Sequence, residues 1–184
     1  MSLSRPTMSA IRFGYGIRPG EKLPDGPDDL LAQLRQPEAD PVRYPIEGIE
    51  GRRETIRNHY KKARQARVDD RTQRRKNLQP LRKAVFTLCA RDQHARMLQA
   101  ALSPHGFRER LLTFWSDHFS INCRKGREMY LYAALYETEA LRPNIAGSFK
   151  SLLKAAIIHP AMLTYLDQIR SNGPNSPRAK PARG

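Results

Sequence analysis

Phe107 to Phe119, FRERLLTFWSDHF, is the stretch whose reading decides the fold. At helical spacing Phe107, Leu111, Phe114, Trp115, His118 and Phe119 form one continuous stripe, with His118 inside it. Arg108, Glu109, Arg110, Thr113, Ser116 and Asp117 take the opposite, solvent side. Ser103 followed by Pro104 supplies a cap and a first turn. Each aromatic ring buries roughly 150–250 Å² when packed, so this helix needs a large partner surface and is expected at the centre of the molecule.

The flanking sequence offers such surfaces. Upstream, Pro80 starts a pattern in which Leu81, Ala84, Val85, Leu88, Cys89, Met97, Leu98 and Ala101 repeat at helical spacing. Downstream, Tyr130, Leu131, Ala134, Leu135 and Thr138 make a buried face that Arg142 and Pro143 end. Pro143 opens the next helix, where Ile145, Phe149, Leu152, Leu153, Ala156 and Ile157 line one side until His159 and Pro160 break it. Ala161 to Ile169 is a last amphipathic turn or two.

At the other end, Ala10 to Phe13 forms a short turn, and Pro27, Asp28 and Asp29 start a helix through Leu34. Pro37, Pro41 and Pro45 make Gln36 to Gly51 an extended surface connection. No stretch alternates with period two for long enough to be a strand. The reading is all-α: an irregular multi-helix bundle with a long basic helix and a disordered C-terminal tail. Residues 1–50 form an arm with short helices, 51–79 a projecting basic helix, 80–170 the core and 171–184 the flexible tail.

Charge separates the segments. The 184 residues carry 33 Lys and Arg against 18 Asp and Glu, a formal net charge of +15. Thirteen of those cations fall between Arg52 and Lys83, opposed only by Glu54, Asp69 and Asp70. The apolar face there is thin, limited to Ile56, Tyr60 and Ala63 with Ala66 and Val68 nearby, so the helix should stand in solvent. Arg52, Arg53, Arg57, Lys61, Lys62, Arg64, Arg67, Arg71, Arg74, Arg75 and Lys76 are the candidate contacts to nucleic acid or an anionic surface. No helix-turn-helix spacing, zinc finger or RNA-binding aromatic motif accompanies them.

Chemistry has fewer signals. Cys89 and Cys123 lie far apart with no Cys-x-x-Cys, and His59, His94, His105, His118 and His159 form no paired-histidine motif. No cofactor is predicted. His118 is a candidate ligand or base, weighed against a core histidine; His159 a candidate weighed against a helix cap. Asp167 is weighed between cation binding and an ion pair with Arg142 or Arg170. A metal-assisted hydrolase needs these three to converge. No run reaches the roughly 20 apolar residues of a membrane span. Residues 1–20 hold no signal-peptide core, which by itself points to the cytoplasm.

RERLLTFWSDHFSI, ETEALRPNIAGSF and LLKAAIIHPAMLTYLD together resemble the bacterial domain-of-unknown-function family numbered 1800, and AIRFGYGIRPGE resembles its N-terminal signature. The likeness runs from Ala10 to Asn172. It implies no established activity. It implies a cell-envelope or periplasmic setting and a sulfatase-like partner by association. The family domain continues beyond this length, so the chain is expected to be an N-terminal portion, a scaffold or an incomplete unit that exposes apolar surface where the rest docks.

Overall fold

The computed structural model describes residues 3–35, 41–67, 70–173 and 176–177. Among the described residues there are eight α-helices and no strand. Helix α1 spans Arg5–Phe13, α2 Pro27–Arg35, α3 Gly48–Gln65, α4 Arg71–Leu102 and α5 Gly106–His118. Then follow α6 at Met129–Leu135, α7 at Phe149–Ile158 and α8 at Pro160–Tyr165. The chain is all-α, as its periodicity predicts. Residues 174–175 and 178–184 of the expected tail lie outside the described residues.

The centre is not α5 but α6 and its continuation. Tyr136–Leu141 widens into a π-helical turn and Arg142–Asn144 tightens into a 3₁₀ turn. From Met129 to Arg142 no residue is exposed and most are buried, with Met129, Leu131 and Leu141 at 0% exposure. The small Ala133, Ala134 and Ala140 let neighbouring helices approach on several sides. On one flank, Tyr136, Ala140 and Leu141 pack with Leu112 of α5, Leu152 and Ala156 of α7, and Ala161 and Met162 of α8. On the other, Leu131 and Leu135 pack with Ile56 of α3 and Val85 of α4.

Several boundaries differ from the sequence expectation. The basic run is two helices, α3 and α4, so the expected division after residue 79 falls inside α4, where Pro80 is an interior residue. Proline removes one backbone donor there; Pro80 lies on an exposed side of the helix, where the freed Lys76 carbonyl can meet water. Ser103 ends α4 instead of capping α5. Helix α7 begins at Phe149, because the Ser148 hydroxyl accepts the Ser151 N–H and sets the start there. Residues 41–47 do not lie loosely on the surface, since Tyr44 is only 3% exposed. Helix α1 reaches back to Arg5 through the Ser4 cap, and its Phe13 ring meets Phe107 edge-on at 6.2 Å. Behind that contact, a Cβ on Gly106 would stand 3.3 Å from the Gly14 Cα, so glycine permits this close backbone approach.

Candidate functional site

The π-helical turn places Glu137 among polar groups from three other segments. Its carboxylate accepts the Tyr44 hydroxyl, the Arg96 Nε at 2.6 Å and the Ser116 hydroxyl at 2.9 Å. Arg142, one turn on, donates to Tyr44 Oη at 2.8 Å and grips Glu109 of α5 with both Nη atoms at 2.7 Å. Arg108 in turn donates to the Arg142 carbonyl at 3.2 Å and the Leu34 carbonyl at 3.1 Å. Arg96, Glu137, Tyr44, Arg142 and Glu109 thus form a chain of contacts in which cation and carboxylate alternate, with Arg108 bracing it through backbone carbonyls.

Alongside, a cavity of about 260 Å³ is lined by Tyr44, Cys89, Arg96, Cys123, Tyr130 and Glu137. Burial pushes the Cys89 thiol above its ordinary pKa, helped by Asp92, and burial likewise raises Cys123. Both sulfurs therefore stay protonated at neutral pH, the unreactive form. Burial also raises Tyr44, with Glu137 adding to it, so the phenol remains a hydrogen-bond donor. The network joins the segment before α3 to α4, α5 and the π-helical turn.

A second ionic knot lies at the start of α3. Arg52 has 0% exposure; it grips Glu47 at 2.7 and 2.9 Å, Asp92 at 2.7 Å and the Leu131 carbonyl at 3.2 Å. Asp92 also accepts the Ile46 N–H at 3.0 Å. Arg52 is therefore a core residue, and its place among the surface anion contacts is corrected: local composition cannot distinguish a buried, paired arginine from a solvated one. Arg53 pairs with Glu50 at 2.6 Å and Glu139 at 2.9 Å. The other nine candidates, Arg57, Lys61, Lys62, Arg64, Arg67, Arg71, Arg74, Arg75 and Lys76, are exposed. None of the nine forms an ion pair among the described residues.

The three candidates for chemistry go separate ways. His118 is exposed at the end of α5, stacked on Phe114 at 6.3 Å and edge-on to Trp115 and Phe119. His159 is 8% exposed and caps α8: its Nδ1 accepts the Ala161 N–H at 3.2 Å, while Nε2 lies 3.1 Å from Glu139. Asp167 is exposed and pairs with Lys125 at 2.6 Å, not with Arg142 or Arg170. Among the described residues no three His, Cys, Asp or Glu side chains gather as a metal ion would require. The convergence that a metal-assisted hydrolase needed is not there. Nor is any described helix long and apolar enough to cross a membrane.

His159 gives a pH prediction. Accepting from Ala161 requires a bare Nδ1, so the neutral ring carries its proton on Nε2, toward Glu139. Burial lowers its pKa against the pull of Glu139, and Arg53 adds to the lowering. The neutral ring then contributes stability that is complete above the unfolded value near 6.5 and is lost as pH falls toward the lower folded value. The thermal midpoint should drop between about pH 7.5 and about 5.5, and the drop should shrink in His159→Asn, which keeps a capping oxygen. An undiminished drop in that variant would assign the effect elsewhere.

The network around Glu137 escaped the sequence reading. Its one visible trace was the pair Glu137 and Glu139 embedded in the apolar run YLYAALYETEAL. No curated protein and no solved structure matches the chain. A family model does, described as Protein of unknown function (DUF1800), over residues 9–177.

Proposed function

Because the chain belongs to the DUF1800 family, we propose that it is a helical scaffold unit, the N-terminal part of a larger domain, whose apolar face on α5 and α7 receives further helical chain of that family. The observation that carries this reading is α7. Its sequence FKSLLKAAII is apolar on most sides, the composition of a helix packed all round, yet only Leu152 and Ala156 are buried. Phe149 at 54%, Leu153 at 37%, Ile157 at 45% and Ile158 at 61% exposure stand out instead. Phe149 continues the ridge to α5, lying 5.8 Å from Trp115 and 6.3 Å from Phe119, with Phe114 58% exposed beside them. A contiguous face of this kind marks an interaction surface.

The two ionic networks suit a scaffold, because their buried charges are engaged in contacts between segments of this chain. The test compares the 184-residue chain with one extended by further family sequence. The shorter chain should bind an apolar dye, and Phe149→Ser, Leu153→Ser and Ile157→Ser together should lower that binding severalfold. Each exposed substitution should leave stability within about 0.5 kcal/mol. The extended chain should bind no dye at this face. A 184-residue chain that binds no dye would sink the proposal. A concentration-dependent dimer abolished by the same triple variant would assign the face to self-association, and capture of a sulfatase-like protein there would assign it to that partner.

A further inference from the structure

We propose that Arg71, Arg74, Arg75 and Arg82 of α4, with Arg127, form a site for the phosphate backbone of a single-stranded nucleic acid. The four helical arginines stand at i, i+3, i+4 and i+11, one face of the helix over about 16 Å. They share an open depression of about 450 Å³ with Leu78 and Arg127, and no carboxylate lines it. Arg127 arrives from the segment before α6, so two separate parts of the fold bring cations to one place. None of the five forms an ion pair among the described residues. Burial and then the charge of Arg82 lower the pKa of Arg127 against the smaller opposing pull of Glu128, as expected where guanidinium groups crowd together. An external anion relieves that crowding, and the planar fork of arginine fits phosphate oxygens.

The surroundings favour a strand over a membrane. A helix that adsorbs to lipid carries a broad apolar face beside its basic one. Here Leu81, Val85 and Leu88 line a pocket with α3 residues, and Leu78 is the apolar side chain among those lining the arginine depression. Round the helix, Arg75 and Arg82 also border a second depression containing Lys76, Lys83 and Phe86. Phe86 is 47% exposed with its ring held against Tyr130 at 5.1 Å, which leaves surface on which a base could stack. Cations tracking a backbone beside an exposed aromatic is the arrangement by which single strands are held without sequence preference. The inference does not rest on the docking face of α5 and α7.

The test measures fluorescence anisotropy of a labelled oligouridine of about twenty nucleotides against salt. Five contacts predict a slope of log affinity on log salt near about −3.5, at about −0.7 per phosphate. Arg74→Gln, Arg75→Gln and Arg82→Gln together should weaken binding on the order of tenfold at low salt and flatten the slope by about 2. Lys61→Gln, Lys62→Gln and Arg64→Gln, the same charge removed from α3, should change both far less. Five of the six positions are exposed and Arg82 is half-buried, so unchanged thermal midpoints are the check that both proteins are folded. Equal losses from the two triples would overturn the site in favour of a diffuse field. Equal affinity for duplex would overturn the single-strand assignment. Binding to vesicles containing phosphatidylserine without binding to the oligomer would assign the face to a membrane.

Discussion

Arg142→Met is expected to cost the fold about 3–5 kcal/mol, read as a lower urea midpoint with an unchanged m-value. The loss is not that of a surface ion pair. Arg142 and Glu109 have side-chain exposures of 7% and 5%, and their two 2.7 Å contacts are made out of reach of water. Removing the guanidinium leaves the Glu109 carboxylate buried without its counter-charge, and the Tyr44 hydroxyl loses a donor. Glu109→Met combined with Arg142→Met should recover most of the stability, since the double change removes both desolvation costs while roughly keeping volume. Arg142→Lys should recover only part, because an ammonium cannot reproduce the two-pronged grip. A single variant that loses less than about 1 kcal/mol would show the pair to be hydrated.

That pair also explains why the buried side of α5 differs from the one its aromatic stripe predicts. Its aromatic stripe correctly predicted a helix, and Leu111, Trp115 and Phe119 do pack against the main core. The fully buried residues are Arg108, Glu109 and Leu112, two of them assigned to solvent by their charge. Their partners, Leu34 and Arg142, lie far away in sequence, and local periodicity carries no information about such pairings. His118, inside the expected stripe, ends exposed because the buried face is rotated toward Glu109.

Local signals were read well where the chemistry itself is local. Pro27, Asp28 and Asp29 start α2, and His159 caps α8 with its own ring. The π-helical turn at Tyr136–Leu141 has no such signature, yet it sets where Glu137 lies. Insertions of this kind are held by tertiary contacts, here Tyr44, Arg96 and Ser116, and are frequent at sites that matter to a protein's role. The basic run likewise yielded its net charge but not its partition. One arginine turns inward, another pairs with Glu50 and Glu139, and most of the cations farther along are exposed.

The inward one gives the largest contrast expected within that run. Arg52→Ala should cost at least about 3–5 kcal/mol, whereas Arg57→Ala, five positions on and exposed, should stay within about 0.5 kcal/mol. Arg52 holds two carboxylates, so its loss leaves the half-buried Glu47 and the buried Asp92 without their counter-charge. Burial pushes the Glu47 carboxyl up, but the Arg52 contacts outweigh it and hold the pKa below the ordinary value. That contribution is present above the unfolded value near about 4.3 and is lost as pH falls through the folded one. Arg52→Ala should therefore lack this part of the acid sensitivity. The damage should also travel. Asp92 fixes the Ile46 N–H, and the same short segment carries Tyr44 into the Glu137 network, so amide exchange at residues 43–47 should rise before the rest of the fold opens. Equal stability of the Arg52 and Arg57 variants would mean that the buried knot does not form.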